Sequence, residues 1–103
     1  LDGALHHYRR ATELRPDYAE AHNNLGIVLE MKGERHKAIE HYRRAIAIAP
    51  ADFYAHYNLG LAHLALGDNT QAIEQFRQAL VIDPNSTDAR QNLAAAHATG
   101  QND

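Results

Sequence analysis

The sequence predicts an all-α fold, a solenoid in which antiparallel helix pairs stack in single file. One segment occurs three times at intervals of 34 residues, in copies centred on Asn24, Asn58 and Asn92. The three prolines recur at the same interval, at Pro16, Pro50 and Pro84. A fixed period of this length is the signature of repeated helical units, each of which buries its apolar face only against its neighbours. The repeat indicates a binding function without identifying the partner.

The first two helices are predicted on either side of Pro16. Over residues 1–14, apolar side chains follow the i, i+3, i+4 spacing of an amphipathic helix. Pro16 ends this helix because the residue before a proline is pushed out of helical geometry. Asp17 is then predicted to cap a helix over about residues 18–32, with Glu20 three residues later completing a capping box.

Glycine and aspartate residues divide the remaining helices. Gly33 is predicted to end the second helix, because glycine adopts the left-handed backbone at least cost. A third helix follows over about residues 34–48, and Asp52 is expected to cap a fourth over residues 53–66. The same plan recurs one unit later, with a stop at Gly67, a cap at Asp68, a fifth helix over residues 69–82 and a last helix over about residues 87–99.

Two glycines, Gly26 and Gly60, lie inside predicted helices. A helical glycine costs about 0.5–1 kcal/mol relative to alanine, so something must offset that cost. The close approach of a neighbouring helix is the simplest explanation. Ala45 and Ala79, which share one repeat position, are predicted to pack in the same interior.

The composition excludes several function classes. No apolar run approaches the roughly 18 residues that span a membrane, and the start of the chain lacks a signal-peptide pattern. The absence of cysteine excludes disulfides and thiol chemistry. The net charge of -3 does not indicate a nucleic-acid surface. We expect a cytoplasmic protein, and the start at Leu1, partway through a repeat, suggests a piece of a longer array.

No catalytic or metal-binding constellation is evident. The eight histidines mostly recur one unit apart, as His22 and His56 do. His36 and His41 are five positions apart, which does not place both on one face of a helix. Ser86 is the only serine and lies in a predicted turn. We therefore predict a non-enzymatic chain with neither metal nor cofactor.

At its repeated positions the chain resembles the tetratricopeptide repeat family, whose units are helix-turn-helix elements of 34 residues. In the first full unit, residues 19–52, the matching positions are Leu25, Gly26, Ala38, Tyr42, Ala45 and Pro50. In the second, residues 53–86, they are Leu59, Gly60, Ala72, Phe76, Ala79 and Pro84. Residues 1–18 resemble the second helix of a partial repeat, and residues 87–103 resemble a further first helix or a capping helix. The array would thus form one domain over residues 1–103. The main departures are His22 and His56, where the family usually has a large aromatic residue.

This resemblance implies a right-handed superhelix whose first helices line a concave groove for an extended peptide. The predicted groove residues are Asn23, Asn24, Ile27, Tyr54, Tyr57, Asn58, Leu61, Leu64, Gln91 and Asn92. Within this set, the asparagine column is similar to the ladder of O-GlcNAc transferase-type repeats. A carboxamide suits that role because it offers both a donor and an acceptor to a peptide backbone.

Other interpretations remain open. The asparagines could bond within or between neighbouring helices, and Tyr54, Tyr57, Leu61 and Leu64 could pack against the adjacent unit. The chain could be a substrate-recognition or accessory segment of a larger enzyme such as a glycosyltransferase. It could also be a homo-oligomeric scaffold that packs end to end through its terminal helices. The cationic clamp with which some family members hold chaperone tails is not matched. We expect a protein or peptide partner, no nucleic acid and no membrane.

Overall fold

Six helices and no strand make up the part of the chain that the structure describes. The computed structural model describes the backbone of residues 2–101 and the side chains of residues 2–99. The helices are α1 (Asp2–Leu14), α2 (Ala19–Met31), α3 (Arg35–Ile48), α4 (Phe53–Ala65), α5 (Asn69–Ile82) and α6 (Thr87–Gln101). Their order and the all-α class confirm the prediction. Helix α6 continues two residues beyond its predicted end at residue 99, and residues 102 and 103 lie outside the described residues. None of these helices is both long enough and apolar enough to cross a membrane.

The chain divides into two compact units, residues 1–50 and residues 51–103. In the first unit, α2 packs against both α1 and α3. In the second unit, α5 packs against both α4 and α6, and α4 also contacts α6. Each unit therefore contains one helix hairpin of a full repeat and one additional helix. The repeat boundaries within a single array stay a prediction.

Four of the predicted helix signals are found in the structure. Gly33 and Gly67 adopt the left-handed backbone after α2 and α4, with φ of 84° and 80°. The side chain of Asp52 accepts a hydrogen bond of 3.1 Å from the backbone N–H of Tyr54. Asp68 accepts one of 3.3 Å from the backbone N–H of Gln71. The glycine stops and the aspartate caps of α4 and α5 are thus confirmed.

The predicted cap at Asp17 is wrong. Helix α2 begins one residue later, after Tyr18, and no side-chain hydrogen bond caps it. The backbone N–H of Tyr18 instead bonds to the carbonyl of Arg15 at 3.0 Å, and this turn leaves Asp17 before the capping position. Glu20 does not complete a capping box, because its carboxylate accepts a hydrogen bond of 3.1 Å from the Tyr18 hydroxyl.

An aromatic ring lying on a helical glycine forms the centre of each unit. Tyr42 of α3 and Phe76 of α5 are fully buried, and each lies against the glycine of the preceding helix, Gly26 or Gly60. A Cβ atom at Gly60 would come within 2.7 Å of Phe76 Cε1, closer than atoms in contact can approach. The glycines therefore give the ring room to reach the helix backbone. The predicted close approach is confirmed, with an aromatic side chain as the approaching group.

Fully buried alanines flank each ring. They occupy equivalent positions in the two second helices, Ala38 and Ala45 on α3 and Ala72 and Ala79 on α5. The predicted core positions of Ala45 and Ala79 are therefore confirmed. Small side chains on both sides of a large ring fill the space between two close helices without voids.

Histidine replaces the usual aromatic residue of the family because its ring makes two hydrogen bonds. Nε2 of the buried His22 lies 2.8 Å from the carbonyl oxygen of Pro16, and its Nδ1 lies 3.1 Å from Nδ1 of His41. A carbonyl only accepts, so neutral His22 carries its hydrogen on Nε2 and His41 donates to Nδ1. In the second unit, His56 Nδ1 lies 2.9 Å from Oε1 of Gln75, which occupies the repeat position of His41.

The surroundings of His41 favour its neutral form. Burial lowers the pKa of His41 below its ordinary value of 6.5. Charged neighbours on all three helices modify this effect: His22 on α2, Arg44 on α3 and Arg9 on α1 lower the pKa further, and Glu40 on α3 raises it. Protonated His41 would still donate to His22 Nδ1, whereas hydrogens on both Nδ1 atoms would place two donors against each other across the contact. Folding of the first unit therefore favours neutral His41, and acid reduces its stability.

We expect Gly60→Ala to destabilise the protein by about 1–3 kcal/mol, because its methyl group overlaps the buried ring of Phe76. Gly3→Ala on α1 is the control, because no atom lies within 4 Å of its added methyl group. The control should leave stability unchanged or raise it by up to about 0.5–1 kcal/mol. Chemical denaturation measures both, and equal effects of the two substitutions would contradict the ring-on-glycine contact.

We expect His41→Gln to reduce the loss of stability between about pH 7 and pH 5. Because the pKa of folded His41 is lowered, the unfolded chain binds more protons as the pH falls through 6.5, and stability present above that pH is lost below it. Glutamine reproduces the pair that His56 forms with Gln75 and does not titrate.

Thermal melts over this pH range measure the effect. His36→Gln is the control, because His36 is exposed on the same helix. The reciprocal change Gln75→His should make the second unit more sensitive to acid. A pH dependence that is the same in His41→Gln as in the parent would contradict this account.

Candidate functional site

The predicted groove residues lie on α2, α4 and α6, the first helices of their repeats. The first-unit face consists of Asn23, Asn24 and Ile27 on α2. The second-unit face consists of Tyr54, Tyr57, Asn58, Leu61 and Leu64 on α4 with Gln91 and Asn92 on α6. On α2 and α4 the members share one side of the helix because they recur at spacings of three and four residues.

On the first-unit face, exposure differs among the three predicted residues. Asn23 is buried, with 8% of its surface exposed. Asn24 is half-buried, and Ile27 is exposed, as is Met31 one turn later. Asn24 and the apolar side chains therefore supply most of the accessible surface of this face, whereas Asn23 contributes to the interior.

On the second-unit face, aromatic rings of α4 pack on one another. Tyr57 is half-buried, stacked on Phe53 at 5.6 Å between ring centroids and tilted against Phe76 at 6.0 Å. Tyr54 contacts the edge of Phe53 at 5.2 Å but keeps 66% of its surface exposed. Tyr57 is thus held in place by packing, and Tyr54 projects a large accessible ring.

The apolar residues of this face pack against the core and also remain partly exposed to solvent. Tyr57, Leu61 and Leu64 pack against a buried cluster formed by Ala72, Phe76 and Ala96. Each of the three is half-buried, so part of each side chain remains accessible. Packing within the second unit therefore covers only part of the surface of these side chains, and the rest is accessible to a ligand.

A hydrogen-bond network joins α4 to the first turn of α6. Nδ2 of Asn92 donates to the Tyr57 hydroxyl at 3.1 Å and to the backbone carbonyl of Asp88 at 2.9 Å. A carbonyl only accepts, so the amide nitrogen faces Asp88 and both of its hydrogens are used. Asn92 therefore offers Oδ1, an acceptor, to a ligand. The Tyr57 hydroxyl accepts one bond and keeps its hydrogen, for which the described residues provide no acceptor.

The environment of Tyr57 keeps its hydroxyl protonated. Burial raises the pKa of the phenol, the charge of Asp88 raises it further, and the hydrogen bond from Asn92 lowers it. A phenol with a raised pKa remains a hydrogen-bond donor at neutral pH. Tyr57 and Asn92 together can thus give one hydrogen bond to a backbone carbonyl and accept one from a backbone N–H.

The sequence did not reveal the Tyr57–Asn92 bond. The two residues are 35 positions apart, which is one repeat plus one residue. This spacing is the one feature of the sequence that could have pointed to a bond between them. All three members of the asparagine column are half-buried, and the nitrogen of Asn92 donates within its own unit.

Two cavities lie apart from the predicted groove residues. One, of about 470 Å³ in the first unit, is lined by Thr12, Glu13, Pro16, His22, Arg44, Ala47 and Ile48. The other, of about 450 Å³ in the second unit, is lined by Thr70, Gln71, Ile73, Glu74, Arg77 and His97. Both are bordered mainly by second helices, and no predicted groove residue lines either one.

The described residues show no arrangement typical of a metal or nucleophile site. Among residues 2–99 there is no group of three or more histidine, aspartate or glutamate side chains placed to hold a metal ion. The hydroxyl of Ser86 accepts a hydrogen bond of 3.1 Å from the backbone N–H of Ala89, so this serine caps α6. The single serine thus has a structural role.

Known structures share this fold over nearly the whole chain. Two crystal structures of MamA superimpose with TM-scores of 0.93 and 0.90 at 29% identity, covering 97% and 94% of this chain. This chain spans 55% and 57% of those two chains. The first tetratricopeptide domain of Spaghetti (RPAP3), bound to the HSP90 peptide SRMEEVD, superimposes with a TM-score of 0.91 at 20% identity, covering 94% of this chain and 77% of that one. No curated protein matches by sequence.

Family comparison agrees with the structure. A tetratricopeptide repeat model matches residues 32–87, more than half of the chain, and a second TPR repeat model matches residues 1–33. The matched segments include the ring-on-glycine contacts at the centre of both units. The fold is therefore an all-α tetratricopeptide solenoid of antiparallel helix pairs, and the chain belongs to the tetratricopeptide repeat family.

Proposed function

We propose that the chain binds an extended peptide segment of another protein against its first helices, through the first-unit and second-unit faces. The carrying observation is the Tyr57–Asn92 pair, which presents one donor and one acceptor at a fixed separation. An extended backbone offers an acceptor and a donor at every residue, so such a pair can bind it whatever the side chains are. The tetratricopeptide fold itself is that of a protein-interaction module.

The half-buried carboxamides extend this pattern beyond the pair. Asn24 and Asn58 occupy the same repeat position as Asn92 and lie on the equivalent side of their own helices. Their positions support an asparagine ladder similar to that of O-GlcNAc transferase-type repeats. In the second unit the ladder differs at Asn92. Both amide hydrogens of Asn92 are already bonded within the unit, so the Tyr57 hydroxyl supplies the donor in its place.

Apolar contacts must supply most of the affinity. A hydrogen bond contributes about 0.5–1.5 kcal/mol net, whereas association costs at least about 4 kcal/mol in lost freedom. The exposed ring of Tyr54 and the accessible parts of Leu61 and Leu64 are the anchors available on the second-unit face. On the first-unit face, Ile27 and Met31 have the corresponding role.

The peptide-bound neighbour supports the general mode of binding and not its ligand. The RPAP3 domain holds an HSP90 peptide, but at 20% identity the likeness concerns the fold. Positions that would carry a clamp for an acidic tail hold Asn23 and Ile27 in the first unit and Asp88 and Asn92 in the last. A clamp without cations cannot hold a carboxylate tail in the same way. We therefore propose a different peptide class, bound without catalysis.

We expect Tyr57→Phe combined with Asn58→Ala to weaken peptide binding by about 5- to 100-fold, because two hydrogen bonds of about 0.5–1.5 kcal/mol each are lost. A peptide selected from an array by the parent protein provides the probe, and fluorescence anisotropy measures its affinity. The phenylalanine keeps the ring that packs on Phe53 and Phe76, so the helicity of the variant should match that of the parent.

Tyr8→Phe is the matched control, because it removes a tyrosine hydroxyl from α1, a second helix outside the proposed groove. It should leave binding unchanged. Parent-like affinity in the folded double variant would refute the assignment of these two residues to the groove.

A further inference from the structure

We propose that the bound segment is basic, and that one of its lysine or arginine side chains binds between Tyr54 and Asp88 on the second unit. This inference rests on the peptide-binding function proposed above and specifies the chemistry of the partner. Its basis is the charge distribution among the helices, together with the exposed ring and the carboxylate that lie in the first turns of two contacting helices of the second unit.

The positively charged side chains are segregated onto the second helices. Helices α2 and α4 contain no lysine or arginine at all, and α6 contains one. The other helical cations lie on α1, α3 and α5: Arg9, Arg10, Arg35, Lys37, Arg43, Arg44 and Arg77. The first helices carry the acids Glu20, Glu30 and Asp88, whereas the second helices carry four acids beside their cations, Asp2, Glu13, Glu40 and Glu74. A segment lying on the first helices would therefore meet three carboxylates and a single helical cation, Arg90.

The two cations of the second unit are placed away from the proposed groove. Arg77 borders the cavity formed by α5 with His97 of α6, which no groove residue lines. The guanidinium of Arg90, the single cation on a first helix, donates to the backbone carbonyl of Pro84. That bond repeats the contact that His22 makes with the backbone carbonyl of Pro16. Neither arginine forms an ion pair with Asp88 among the described residues.

The carboxylate of Asp88 is available for a ligand. Asp88 is exposed in the first turn of α6, and its backbone carbonyl is held by Asn92, which also binds the Tyr57 hydroxyl. This network fixes the first turn of α6 beside the aromatic part of α4. The charge of Asp88 acts on the Tyr57 phenol and raises its pKa, in agreement with their closeness.

An exposed aromatic ring completes the cation site. Tyr54 and Asp88 are 34 residues apart and occupy the same position of successive repeats. Each lies in the first turn of its helix, and these two helices, α4 and α6, contact each other within the second unit. Tyr54 keeps 66% of its surface exposed, and packing on Phe53 holds the base of its ring. A cation between an aromatic face and a carboxylate gains from both, because the ring face is electronegative.

The first-unit face has the same sign of charge. Glu20 occupies the position of Tyr54 and Asp88 one repeat earlier, and Glu30 lies on the same helix. Glu30 is engaged by Arg35 at 3.5 Å and by the Tyr42 hydroxyl at 2.9 Å. The exposed Glu20 accepts a hydrogen bond from the Tyr18 hydroxyl and forms no ion pair among the described residues. A second basic residue of the partner can therefore be accommodated at Glu20.

The test is a screen of random peptides of one length, sorted by net charge, against the parent protein and the variants Asp88→Asn and Tyr54→Leu. We expect the bound peptides to be enriched in lysine and arginine. Their affinity should fall about 3- to 10-fold in each variant and should fall with added salt in the parent. Glu74→Gln is the matched control: it removes the same charge from α5 in the same unit, outside the proposed groove, and should leave affinity unchanged.

The outcomes separate the two proposals. Bound peptides that are acidic or show no bias in charge would overturn the basic-segment inference and leave the groove standing. An equal loss of affinity in Asp88→Asn and Glu74→Gln would overturn the specific site, since general charge would then be the cause. A folded protein that binds no peptide of any charge would overturn the groove itself and this inference with it.

Discussion

The contact between a buried aromatic ring and a bare helical backbone is the constraint on which the rest of this structure depends. Tyr42 lies on Gly26 in the first unit, and Phe76 lies on Gly60 in the second. Each ring is fully buried. It fills the space that the side chain of any residue other than glycine would occupy on the facing first helix. The dispersion and burial gained by the ring offset the cost of a helical glycine. This contact sets how closely a first helix approaches its second helix, and it determines which side of the first helix remains accessible.

The pairing of buried polar groups is a second constraint, and here this chain differs from the usual pattern of its family. Where a large aromatic residue is common, His22 bonds both to the Pro16 carbonyl and to His41. Arg90 at the equivalent position makes the corresponding bond to Pro84. A polar ring at an interior position is tolerated because both of its nitrogens have partners. The consequence is a connection between the packing of the first unit and the protonation of His41, which a phenylalanine or tyrosine in place of His22 would not provide.

The accessible side of the first helices combines three kinds of group that suit an extended peptide. Carboxamides and the Tyr57 hydroxyl offer backbone hydrogen bonds, and the partly exposed apolar residues offer area. The first helices carry three carboxylates and one arginine, whereas the second helices carry the other helical cations together with four carboxylates. The nitrogen of Asn92 bonds to the Tyr57 hydroxyl and to the Asp88 carbonyl, and the proposed groove uses its oxygen as an acceptor.

The sequence by itself determined the helix order, the repeat and most helix ends. Periodic apolar residues, Gly33, Gly67, Asp52 and Asp68 act through local backbone geometry, which a linear pattern records directly. The fully buried positions followed for the same reason, since a 34-residue period places equivalent side chains in equivalent surroundings. The candidate site residues also followed from this register, but only as positions along the helices.

Only the tertiary structure decided which partners the polar side chains take. The turn at Arg15 displaced the expected cap at Asp17, and Tyr57 turned out to bond Asn92 on another helix. The pairing of His22 with His41 likewise joins residues 19 positions apart on separate helices. Hydrogen bonds depend on distances of a few tenths of an ångström and on the direction of each donor. Those quantities are set when helices pack, and the period of the sequence fixes only which side of a helix each residue occupies.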